Sequence, residues 1–304
     1  MNVNYLKSLF FVAFAASSYG VLATFVRLAY DEKYTTAEVT FSQSFLGLIG
    51  LMLLHLFNKK KGREVEKQYA SKDKIRLILC GTSFGLTSTF YYLAVYYGIP
   101  VSICIVLLMQ AVWMGALVDF IISRKKPTLT EQSAIVIILS GTLLATNFIN
   151  ESNVKLNFIG IVFGVLSAVS YTFSMFSSNR VGINMPSSLR SVYLLLGATI
   201  MVSLIWGYTI LTEPFRFSIF YKWGIILAVF GTILPPLLFT KGMPVVGIGV
   251  GSIIASLELP VSVLMAKFVL HENVTYLQWL GIALILISII LLNLAIIIPR
   301  RFKS

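Results

Sequence analysis

Residues 251–270 read GSIIASLELPVSVLMAKFVL, an apolar helical run with Glu258 and Pro260 at its centre. A carboxylate at the middle of a bilayer costs several kcal/mol unless it pairs, faces a polar cavity or takes up a proton. A proline has no N–H, so the carbonyl four residues back, that of Ser256, loses its helical partner. Irregular backbone at that depth is tolerated where it is buried in protein or lines a water-filled cavity. Ser256 and Pro260 therefore mark an expected helix break, and Glu258 an expected central pocket. The plainer alternative is that Glu258 hydrogen-bonds a neighbouring helix and only holds it in place.

The rest of the chain supports a membrane setting. Hydrophobic residues make up 57% and charged residues 12% of 304 residues, and mean hydropathy is +0.87. Soluble domains average about 25% charged residues. With about 20 residues needed per span, ten helices are expected, near 6–29, 35–57, 75–97, 100–122, 132–149, 156–178, 187–211, 221–240, 246–270 and 275–298. The longest polar segment, NKKKGREVEKQYASKDK at 58–74, is too short to fold alone and reads as a basic linker.

The net charge of +12 would suggest nucleic acid in a soluble protein, but here the basic residues sit in short segments between apolar runs. With the N-terminus cytoplasmic, 18 of the 24 Lys and Arg residues, Arg190 among them, fall on the inner side. Lys/Arg bias sets orientation, so both termini are expected inside a cell inner (plasma) membrane. Cys80 and Cys104 lie in apolar runs and are expected as free core residues.

Two halves are visible in the sequence. FVAFAASSYG (11–20) aligns with FGVLSAVSYT (163–172), GIPVSICIVLL from Gly98 resembles GMPVVGIGVGS from Gly242, and Gln132 pairs with Gln278. Divided as 1–150 and 151–304, each half carries five helices, and an odd number forces the second half to enter from the opposite side. The expected fold is an all-α polytopic membrane protein of two inverted five-helix repeats around a central cavity, a common plan of secondary transporters. YYGIP and TKGMP are expected as tight hairpin turns.

Two histidines, no Walker sequence, no nucleophile elbow and no metal-ligand cluster give catalysis little footing, and no cofactor or metal is expected. Gln110 lies at the centre of the fourth helix, with Trp113 one turn on and on the same face. Tyr19 and Tyr171, matched in the repeat, lie near the centres of helices one and six, and Tyr91 and Tyr92 lie in the outer part of helix three. These residues are candidates to bind a small-molecule substrate together with Glu258, which is also the candidate proton-coupling group. A passive facilitator and a lipid-handling protein are the competing classes. The partners expected are a small metabolite and the bilayer, not nucleic acid, with the chain a monomer or homodimer.

The ten helices, the aromatic-Gly pair Tyr19–Gly20, and the C-terminal run SLELPVSVLMAKFVLHENVTYLQWLGIALILISIILL resemble the EamA-type transporters of the drug/metabolite transporter superfamily. The family's pattern there, Glu-Pro, a Glu before a short turn, then Gln and Gly, maps onto Glu258, Pro260, Glu272, Gln278 and Gly281. Leu259 separates Glu258 from Pro260, which the commoner form has adjacent, and the first half lacks the proline and glutamate. The resemblance implies a cavity lined by helices 1, 3, 4, 6, 8 and 9, and outward movement of amino acids or other small metabolites.

Overall fold

A computed structural model describes residues 3–61, 69–99, 101–124, 126–146 and 157–297. The middle of the 58–74 linker, Pro100 and the 150/151 boundary lie outside the described residues. Every regular element among the described residues is helical. The first half holds α1 (Val3–Asp31), α2 (Thr36–Lys60), α3 (Ser71–Tyr96), a broken α4 (α4a Val101–Leu108, α4b Ala111–Ser123) and α5 (Leu129–Ala145). The second holds α6 (Phe158–Arg180), α7 (Ser187–Thr212), α8 (Phe220–Val246), a broken α9 (α9a Ile248–Ala255, α9b Glu258–Val269) and α10 (Tyr276–Ile297). Nine of these are long and apolar enough to span a membrane among the described residues, and α5, described over 17 residues, is shorter.

Local sequence sets the helix starts. Thr35 with Glu38, Thr128 with Glu131 and Thr275 with Gln278 form reciprocal caps at α2, α5 and α10, each satisfying two orphan backbone groups. The cap pairs of α5 and α10 put Glu131, rather than Gln132, opposite Gln278 in the repeat.

The halves interlock. α1 packs on α8 and α9b, α3 packs on α6 and α7, and α2, α4b and α5 meet α7, α9a and α10. Without a hydrophobic force between helices in lipid, close backbone approach drives such packing. At the α3–α7 crossing a Cβ on Gly81 or Gly197 would overlap the carbonyl of Leu194 or Ile78 respectively.

Two sequence expectations shift. The turn at YYGIP is present, with Gly98 at φ 82°, but TKGMP lies inside α8, and the corresponding turn is at Gly247, φ 87°. The turn glycine of the second half is therefore Gly247, not Gly242, and it stands two residues later in the repeat than Gly98. Also, the carbonyl of Ser256 is not left without a partner: the amide of Leu259 donates to it at 3.2 Å. The helix tightens by one residue at 256–257 instead of leaving a gap.

That tightening recurs where no proline stands. In α9 the amides of Leu257 and Leu259 donate three residues back, to Ile254 and Ser256, before Val261 resumes four-residue spacing to Leu257. In α4 the amides of Gln110 and Val112 donate to Leu107 and Met109, and Met114 resumes to Gln110. The two patterns superpose at a constant offset of 147 (257 − 110, 259 − 112, 261 − 114). Trp113 occupies the position of Pro260, and Ala111 that of Glu258.

Candidate functional site

Glu258 opens α9b directly after the break and is half-buried, facing a cavity of about 600 Å³. That size suits a small molecule, since ligand pockets run from about 300 to 1,000 Å³. Its Oε2 accepts a hydrogen bond from the Tyr171 hydroxyl at 3.3 Å. Tyr171 meets Tyr19 edge to face, with ring centroids 6.1 Å apart, and Tyr19 rests against buried Phe239. Tyr91 and Tyr92, joined by Tyr30 of α1, form a second edge-to-face group in the same cavity. Aromatic faces attract cations, and the carboxylate lies among five tyrosines.

Among the described residues the cavity opens beside Arg27 and Glu272. Gly20 abuts the Glu258 carbonyl, and seven residues further along α1, about 10 Å at helical rise, Arg27 stands at the rim. It pairs with Glu272 at 3.5 Å, and the two side chains are 59% and 44% exposed. Beyond the rim, the α1–α2 connection is tied to the start of α8: Glu38 accepts from the Arg216 backbone at 2.6 Å, and Lys222 pairs with Glu32 at 2.8 Å.

At the opposite end of the bundle, outside the cavity lining, lies Arg190, only 2% exposed. Its guanidinium donates to the carbonyls of Val181, Ser178 and Ser177, at the C-terminal end of α6, and to that of Thr240 at 2.8 Å. The Thr240 carbonyl lies four residues before Pro244, which offers it no N–H, so Arg190 supplies the missing donor. Asn179 adds a bond to the Met243 carbonyl. Helix ends and prolines free these acceptors, and the arginine collects them.

Of the sequence candidates, the cavity brings together Glu258, Tyr19, Tyr91, Tyr92 and Tyr171. Gln110 and Trp113 lie elsewhere. They share a face, as their spacing requires, but Trp113 donates to the Gln110 side chain at 2.9 Å, Gln110 donates back to Val106, and Trp113 is 39% exposed on the outer surface. Depth along a helix does not set which way a side chain points, and the few polar residues of α4 form no continuous polar face. Pro260 and Ser256 sit at the break, buried. The lining is also wider than the resemblance implied, with Gln43 and Ser44 of α2 and Leu195, Ala198 and Val202 of α7. Gln43 and Arg190 left only weak signals in sequence, one an amide beside serines, the other a basic residue among many assigned to the inner side.

One comparison identifies a family. The EamA-like transporter profile matches residues 6–147 and again 158–294. A solved structure described only as the crystal structure of a protein superposes with a TM-score of 0.77 at 14% identity, covering 98% of this chain and 100% of its own. That likeness speaks for the fold alone. No curated relative matches the sequence. With the twofold profile match spanning nearly its whole length, this multi-pass membrane protein belongs to the EamA-like transporter family and is a membrane transporter of small molecules.

Proposed function

We propose that the protein is a secondary-active exporter of a small metabolite carrying an ammonium group, an amino acid or related compound, across the inner membrane by alternating access. The observation that carries this reading is the half-buried Glu258 carboxylate, held by Tyr171 among aromatic rings in an otherwise weakly charged cavity. A central acid favours a cation, and the tyrosine faces add to that preference. Glu258 takes either the ammonium group or a coupling proton. Inside-positive bias puts both termini in the cytoplasm, and the open end of the cavity then faces outward. The halves divide at 150/151.

A thermal-shift screen of purified protein against amino acids, polyamines, nucleosides and sugar phosphates tests the reading. A true cargo raises the melting temperature with concentration, by about 2.7 kcal/mol of stability at a hundred times its Kd. The expected hit carries an ammonium group and loses its effect in Glu258→Gln, by about ten- to a hundredfold in affinity for a lost charge-assisted hydrogen bond. A hit that survives the substitution makes Glu258 structural. Unchanged pH dependence of transport in Glu258→Gln would remove the proton from the scheme.

A further inference from the structure

Most serine and threonine hydroxyls of the cavity wall are already committed to their own helices. Thr40, Ser44, Thr87, Ser88, Thr146 and Ser174 each donate to a carbonyl three or four residues back. Bonded in this way, they shape the cavity but have little left to offer a ligand. The Gln43 side chain is different. It lines the cavity from α2, half-buried, and its amide exchanges hydrogen bonds with no described residue.

Its position is nonetheless built. The Thr232 hydroxyl donates to the Gln43 backbone carbonyl at 2.9 Å, pinning α2 to α8 at this level. The Gln43 amide lies over Gly231, where a Cβ would overlap Nε2. Gly231 and Thr232 belong to a π-helical turn, Ala228–Ile233, just before Pro235 and Pro236, whose missing N–H groups leave the α spacing unsatisfied there. The wide turn presents bare backbone to the amide.

Gln43 and Glu258 also stand at nearly the same depth. Gly20 of α1 abuts the Glu258 carbonyl, and Leu22, two residues on, abuts Gly231 beside Gln43. Two residues of helix are about 3 Å of rise. The two side chains therefore approach the cavity from opposite sides of α1 at one level, an acceptor-only carboxylate on one side and an amide with two N–H donors on the other.

We infer that Gln43 is a specificity-determining residue that holds the cargo's carboxylate while Glu258 holds its ammonium group, so that the cavity selects amino acids over the corresponding amines. The inference rests on the function proposed above. Selectivity comes from an unspent amide: a cargo with a carboxylate fills its donors, and an amine leaves them empty.

The test uses the full-length protein and the twenty standard amino acids, each paired with the amine made by removing its carboxyl group, in thermal-shift titrations. Wild type is expected to bind at least one amino acid about tenfold more tightly than its paired amine, one bidentate contact's worth. Gln43→Leu should erase that preference and leave amine affinity unchanged. The isosteric Gln43→Glu should weaken the amino acid and strengthen the amine, a divergence that loss of packing alone does not produce. Equal weakening of both ligands, or an intact preference in both variants, overturns the role of Gln43 while leaving Glu258 in place. If wild type binds neither amines nor amino acids, the cargo class itself falls, and the role of Gln43 with it.

Discussion

α4 and α9 occupy equivalent places in the two halves and break in the same register, yet only α9 contains a proline at the break and a carboxylate beside it. Proline is therefore not what creates the break. What the two helices share is contact with each other on one side of the break: α9a packs mainly on α4b and α9b on α1, while α4a packs on α6 and α4b on both α6 and α9a. Each helix bends where its contact with the other begins or ends. The repeat has kept the backbone pivot in both halves and the polar chemistry in one. Ala111, at the position of Glu258, is 2% exposed and enclosed by apolar core.

The comparison can be pressed from its strongest consequence downward. Ala111→Glu puts the same carboxylate at the same register in the other half, where no cavity receives it. It should destabilise the protein by about 3 kcal/mol or more, the cost of an unpaired charge at a helix centre, visible as a lower melting temperature. A variant that melts like wild type would show the two positions to be equally wet. Arg190→Met should cost about 2 kcal/mol or more by the same measurement, because it strips the donor from the Thr240 carbonyl beside Pro244 and from three carbonyls at the end of α6. Pro260→Ala is expected to change stability by less than about 1 kcal/mol and keep binding intact, since α4 makes the same turns without proline. A large loss would restore proline as the cause of the break.

The smallest effect belongs to the loops at the open end. Glu32 accepts from Lys222 and from the Trp223 ring N–H, and these bonds hold its carboxyl below the ordinary carboxylate range. A lowered value means the folded state gains stability above the ordinary carboxylate pKa and loses it as pH falls through the lowered one. The melting-temperature difference between wild type and Glu32→Gln should therefore shrink on acidification. A difference that grows in acid would contradict the pairing.

Hydropathy alone gave the ten helices, because lipid demands long apolar runs, and Glu258 stood out because a buried charge is too costly to be incidental. Register was harder. Sequence similarity points to Gly242 and Gln132, whereas the turn at Gly247 and the cap at Glu131 carry the equivalence. Gln110 and Trp113 match Glu258 in depth but not in direction, since the scattered polar residues of α4 give it no polar face to orient it. Arg190 read as an orientation signal, yet its role depends on carbonyls freed by a helix end and by Pro244, fifty-four residues away (244 − 190). Such acceptors become visible only when the backbone is folded.

The interlocking of the halves also sets an order of events during synthesis. α1 presents Ala15, Ala16 and Gly20 to α8 and α9, not to its own half. Some 200 residues separate Gly20 from these partners, and at about 5–20 residues per second a ribosome needs roughly 10–40 s to supply them. Through that interval the first helix must wait in the bilayer with its small-residue face turned to lipid or to an insertion factor. Assembly of the transport site is thus timed by the last third of the chain, and a nascent protein arrested before α9 would hold a spanning helix with no cavity to line.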